Sequence, residues 1–187
     1  MDNRIVNKTK SHFLSVFSKT KTAYLFLPRH VAEVERWANK LLKSYTKADK
    51  EVVLLSVWLH DIGQCIGNEK DDHAVKSEKE TFLFLPKLKL KPKKVNMVAH
   101  CVRAHRCKDV QPETMEAKIL ATADSASHMT DINYIVHMSS RPKKWILEKL
   151  ERDYRDVGLS PKLKREMKPL YQAWKKLLTI FPSDFTK

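Results

Sequence analysis

The stretch S56-V-W-L-H-D-I-G-Q64 decides the reading of this chain. Leu54, Leu55, Val57, Trp58 and Leu59 form a run of apolar positions that points inward. His60 and Asp61 then arrive together at its end, where the pattern still calls for burial. Ionisable groups are expensive to bury unless they are paired or bound to something. The question is what holds them.

Working outward, helical periodicity dominates. His30, Val34, Trp37 and Leu41 lie at i, i+4, i+7 and i+11, one face of a helix. Asp49 is placed to cap the helix that carries Val53, Val57 and then His60-Asp61, with Gly63 and Gly67 marking its exit. Asp71 or Asp72 caps the next, H73-A-V-K-S-E-K-E-T-F-L-F-L85, which Pro86 ends. Pro92 suits the first turn of a helix bearing Val95, Val98, Val102 and His105. Pro112 is expected to open a long helix to Met138, with Glu113 and Glu116 in its first turn and Ala117, Leu120, Ala121 and Asp124 inward. Pro142 starts another helix, and Ser160-Pro161 the last, running to about Ile180. No strand, repeat or low-complexity tract emerges, and only 3 glycines are present, which argues against hairpins and glycine-rich phosphate loops. The fold class expected is all-α. The break at S139-S-R-P142 suggests a helical domain over residues 1–140 and a basic α-helical extension over 141–187, packed on it.

Charge and cysteine usage bound the partners. The 36 Lys and Arg against 22 Asp and Glu give a net charge of +14, which favours anionic partners such as nucleotides, phosphorylated metabolites or nucleic acid. A solvated lysine surface explains the same number without any partner. The run K87-L-K-L-K-P-K-K94 reads first as a solvated loop, since no aromatic residues interleave for base stacking. Three cysteines, Cys65, Cys101 and Cys107, without a C-x-x-C pair, read as reduced thiols and not as ligands or disulfides. The N-terminal apolar run is too short for a signal peptide or a membrane span, so a cytoplasmic protein without a membrane partner is expected.

His30, His60 with Asp61, His105 and Asp124 sit on the inward faces of four different helices. A lone buried histidine is most often a hydrogen-bonded core residue. Four helices that each give a core position to a metal-capable group point instead to a shared cation, which offsets the cost of burying the carboxylates. Imidazole and carboxylate donors suit Mn, Fe, Co, Ni or Zn, with Mg where water completes the shell.

The order H…HD…D, here His30, His60-Asp61 and Asp124, with the H60-D-I-G63 wording and the run E116-A-K-I-L-A-T-A-D124, resembles the HD-domain metal-dependent phosphohydrolases over roughly residues 28–137. The resemblance implies an HD-type helical bundle with those four residues on one divalent ion. In members with two ions, Asp61 bridges and further histidines join. The candidates here are His73 and one of His100 or His105, with His105 taken because it continues the Val95–Val98–Val102 stripe. His100 lies about 140° around the helix from His105, and is taken as a flanking or substrate-facing residue. Lys76, Arg103 and Arg106 are candidate phosphate contacts.

The implied reaction is hydrolysis of a phosphate ester of a nucleotide or small phosphorylated metabolite by a metal-bound water, with His60 and Asp61 at its centre and Asp61 orienting or deprotonating the water. Three departures narrow the resemblance. No G-Y-P follows the late histidines, Gln64-Cys65 replaces the acidic pair of alarmone hydrolases, and Ser125 and His128 stand where a lysine and a later acid are usual. His128 follows Asp124 by four residues, on the same face, as a further polar contact to substrate or ligand. Two other readings fit the same residues: a di-iron HD-type oxygenase, and a non-catalytic metal-stabilised module that binds nucleic acid or a protein.

Overall fold

The computed structural model describes residues 3–20, 25–67 and 71–180. Among them there are nine α-helices and no strand: α1 (Asn3–Ser18), α2 (Leu27–Leu42), α3 (Lys50–Leu59), α4 (His73–Phe84), α5 (Pro92–Ala104), α6 (Met115–Thr130), α7 (Asn133–Met138), α8 (Lys143–Asp156) and α9 (Pro161–Ile180). The tail 181–187, which the expected extension includes, lies outside the described residues. No helix of the described residues is long and apolar enough to cross a membrane.

The architecture follows from α3. Every residue from Val52 to Leu59 is buried, and a helix that is apolar all round has to be enclosed. α1, α2, α5 and α6 pack around it, and α4 lies on α5. Asp49 starts α3 by accepting the N–H groups of Glu51 (3.0 Å) and Val52 (3.2 Å), two of the donors a helix start leaves free. α2 buries Leu27, Val31, Val34, Ala38 and Leu41 on one stripe, mostly against α6. On the far side of α6, α8 contributes Ile146 and Leu150, and α9 contributes Leu163, Met167 and Leu178, to the same continuous core. Trp174 of α9 donates to the Met129 carbonyl at 2.8 Å.

Two expectations need correction. The helix expected from Pro112 begins at Met115, because Thr114 caps it by accepting the Ala117 N–H at 3.1 Å; Glu113 therefore lies before the helix. That helix also does not run through to Met138. Asp131 turns extended (φ −103°, ψ −161°) and its side chain accepts the Asn133 N–H at 2.6 Å, so one helix stops and α7 starts. Of the two aspartates considered as cap for α4, it is Asp72 that accepts the Ala74 N–H at 2.9 Å.

Candidate metal centre

His60 and Asp61 stand where α3 ends and a 3-10 turn (Ile62–Gln64) begins. Consecutive helical residues point about 100° apart. Asp61 leaves the helical region (φ −111°, ψ 6°), and both side chains reach the same space. Gly63 then makes the turn's close approach to α4. A Cβ there would lie 2.2 Å from the His73 carbonyl oxygen and 2.8 Å from the Ser77 nitrogen. Without that Cβ, the Gly63 N–H donates to Ser77 Oγ at 2.8 Å, and the first residue of α4, His73, comes level with Asp61. Arg106 grips the cap residue Asp72 at 2.5 Å and ties the start of α4 to the end of α5, where His105 stands.

Two triads result. His30, His60 and Asp124 bring one donor atom each within 4.8 Å of one another; so do Asp61, His73 and His105. Asp61 joins them. Its Oδ2 lies 3.7 Å from both His30 Nε2 and His60 Nε2, while its Oδ1 lies 3.2 Å from His73 Nε2 and 3.7 Å from His105 Nε2. Asp124 Oδ1 is 3.1 Å from His30 Nε2 and 3.7 Å from His60 Nε2. His73 and His105 face each other, Nε2 to Nε2, at 3.4 Å.

The imidazoles are held so that Nε2 is presented inward. His60 Nδ1 donates to the Val57 carbonyl at 2.8 Å, and His105 Nδ1 to the Val102 carbonyl at 2.6 Å. Both use the same device: each residue caps its helix and spends Nδ1–H on a carbonyl that the helix end leaves free. His30 Nδ1 meets Asp131 Oδ2 and Ser127 Oγ, each at 3.2 Å. Carboxylate and carbonyl partners of this kind fix the tautomer and raise the basicity of metal-binding histidines. Gln64 donates to Asp61 Oδ2 at 3.0 Å.

The donor set fits a cation on one decisive atom. His60 Nε2 is sealed from solvent and has no hydrogen-bond partner, a costly arrangement for a buried polar atom. With no ion, protons carry the balancing charge. Burial works against an imidazolium at His30, yet Asp124 and Asp131 outweigh it and push its pKa up to about 10. Burial likewise opposes the charge on Asp61, but the four surrounding histidines hold its carboxyl far below the usual range. Burial, with His60 alongside, drives His105 down to about 3, so it stays a neutral lone-pair donor. The arrangement is consistent with two divalent ions sharing Asp61.

All six expected ligands, His30, His60, Asp61, His73, His105 and Asp124, are thus brought together. Of the expected substrate contacts, His128 stands beside the first triad: its ring stacks on His30 at 5.0 Å, and Nε2 is 3.6 Å from Asp124 Oδ1. Lys76 is half-buried on α4, its stem against Gly67. Arg103 is engaged with Asp109 and Glu78, and Arg106 with Asp72. His100 is not drawn into the cluster; its Nε2 accepts the Glu113 N–H at 3.3 Å. The thiols are no part of the triads. Burial pushes Cys65 up to about 11 and both Cys101 and Cys107 up to about 12.

Sequence reasoning missed Asp131, Lys149 and Asp153. Asp131 follows Asp124 by seven residues, two turns on the same face, so extending that stripe finds it. Lys149 and Asp153 come from α8, and no local pattern ties them to the site.

Comparisons with curated proteins and with solved structures returned no match. The family model described as HD domain matches residues 29–129, more than half of the chain and the span that holds all six residues of the two triads. The chain belongs to the HD-domain family, within the metal-dependent phosphohydrolase superfamily.

Proposed function

We propose that this protein hydrolyses a phosphate ester of a nucleotide or of a small phosphorylated metabolite, with two divalent ions at the joined triads. The observation that carries the reading is Asp61, one carboxylate with an oxygen turned to each triad. His30, His60 and Asp124 would hold one ion, His73 and His105 the other, and Asp61 both. When bound, such ions supply Lewis acidity to a phosphoryl oxygen and lower the pKa of an attacking water.

The chain's own residues do the rest. Asp61 is the carboxylate placed to orient that water or take its proton. His60 and His105, locked through Nδ1, keep their Nε2 atoms fixed while charge develops. Lys76, one turn along α4 from His73, offers a cation to the phosphate. Arg103 and Arg106 act as braces, since each is held by carboxylates. His73, with 27% of its side chain exposed against 0–7% for the other three histidines and Asp61, marks the side from which substrate enters.

The test is release of inorganic phosphate from a panel of nucleotides and phosphate esters, with Mn, Mg, Co and Ni supplied in turn. Metal-dependent release that disappears in Asp61→Ala is expected. Stoichiometric metal binding with no release from any ester would overturn the hydrolase reading, and oxygen consumption by an iron-loaded sample would replace it with the oxygenase.

A further inference from the structure

α8 lies outside the stretch matched by the family model, yet it sends a cation to the edge of the metal centre. Lys149 Nζ lies 3.0 Å from His128 Nδ1, and 3.1 and 3.3 Å from the two oxygens of Asp153. Its side chain is only 13% exposed, and Asp153 is buried. Tyr134, fully buried, donates to Asp153 Oδ2 at 2.7 Å. Tyr134, Lys149 and Asp153 thus partner one another, and Lys149 reaches His128, at the junction of α6, α7 and α8, which is not a chance surface pairing.

The network decides which nitrogen of His128 carries the proton. An ammonium can only donate. Lys149 donates to Nδ1 at 3.0 Å, which makes Nδ1 the acceptor of the neutral ring; the alternative, Nδ1–H to Asp153 Oδ1, spans 3.3 Å and would set an N–H against an ammonium. The shorter contact thus favours the Nε2–H tautomer over Nδ1–H donated to Asp153. Among the described residues the Nε2–H faces Asp124 Oδ1 at 3.6 Å, too far for a hydrogen bond. The parallel stack on His30, with ring planes 5° apart, keeps the ring from turning away.

We propose that His128 Nε2–H is a hydrogen-bond donor for a phosphoryl oxygen of the substrate beside the metal centre, with Lys149 as the positioning residue that sets its tautomer. The proposal rests on the phosphohydrolase reading for its ligand, but not for its geometry. The ligand class is an oxyanion presented next to Asp124, and Lys149 and Asp153 together add no net charge to repel or attract it.

Two measurements test it. In metal-free protein labelled with 15N-histidine, long-range 1H–15N spectra at pH 9 read the tautomer of His128, assigned by its loss in His128→Phe. Protonated Nε2 is expected in the wild type and in Lys149→Arg, with the proton moved to Nδ1 in Lys149→Met. Protonated Nδ1 in the wild type would overturn the proposal whether or not any variant folds. Titration of Mn-loaded protein with inorganic phosphate is the second. His128→Phe, which keeps the stack and removes the donor, is expected to weaken phosphate about tenfold, and Lys149→Met to follow it. Unchanged phosphate affinity in His128→Phe would overturn the donor role. Failure of Mn to bind at all would instead overturn the metal reading, and would leave the tautomer result standing.

Discussion

Gly63→Ala is the perturbation that best separates the mechanics of this site from its chemistry. The added Cβ would stand 2.2 Å from the His73 carbonyl oxygen, where contacts under 3.0 Å essentially do not occur. Both that oxygen and the Ser77 nitrogen at 2.8 Å are backbone atoms, so no side chain can swing aside. The start of α4 has to retreat by at least the missing 0.8 Å, and by at least 1.2 Å for an ordinary contact at 3.4 Å. His73 rides on that turn, with Nε2 set 3.2 Å from Asp61 and 3.4 Å from His105. Displacement of this size takes it out of a coordination shell. Overpacking also costs about 1–3 kcal/mol, and at this chain length each kcal/mol moves Tm by about 2–4 °C. The expected variant therefore melts about 2–12 °C lower and, under the proposed two-ion ligation, binds one divalent ion fewer than the wild type, read by calorimetric titration and elemental analysis. His73→Ala is the comparison, expected to lose the same ion with little change in Tm of the metal-free protein. A Gly63→Ala protein with wild-type Tm and both ions would refute the close-packing argument.

Other outcomes follow from the same geometry. Asp131→Ala removes the carboxylate at His30 Nδ1 and is expected to weaken metal binding by about 10–100-fold, measured by competition with a chromophoric chelator; a change under threefold would mean the carboxylate is idle. pH should modulate metal stabilisation. His30 is raised from 6.5 to about 10 in the metal-free fold, so its contribution to that fold is full below pH 6.5 and is lost as pH rises through 10. A bound ion replaces this proton. The Tm difference between metal-loaded and chelated protein should therefore widen from pH 6.5 towards 10, and a constant difference would contradict the assignment. Asp49→Ala removes the cap of α3 and its bond to Lys94, and is expected to cost about 0.5–2 kcal/mol in urea unfolding while leaving metal stoichiometry unchanged.

Much of this could be read from the residues because the site uses the same faces as the core. His30 extends the stripe of Val34, Trp37 and Leu41, His105 extends that of Val95, Val98 and Val102, and Asp124 that of Ala117 and Leu120. A periodic pattern that buries the apolar members carries the polar ones inward with them. What could not be read depends on positions where periodicity stops. The end of α6 turns on how Asp131 bonds locally, and its start on Thr114 as the cap, two residues past the Pro112 expected to open it. Gly63 reads as an exit signal, whereas its role is steric and depends on the path of α4 ten to fourteen residues later. Lys149 and Asp153 are separated from Asp124 by a turn and a helix, and only packing brings them to His128.

The shared carboxylate of Asp61 has a thermodynamic consequence. Under the proposed ligation, the two ions cannot load as independent events, because the first to arrive fixes the orientation of a group the second also needs. That preorganisation favours the second ion, and repulsion between two like charges a few ångströms apart opposes it. Whichever is larger, the coupling is reciprocal: a substitution at His105 that weakens one ion must change affinity at His30 and His60 by way of Asp61, although His30 and His105 share no bond. Occupancy of this centre is therefore a property of the pair, and a cell that sets the availability of one metal sets the loading of both.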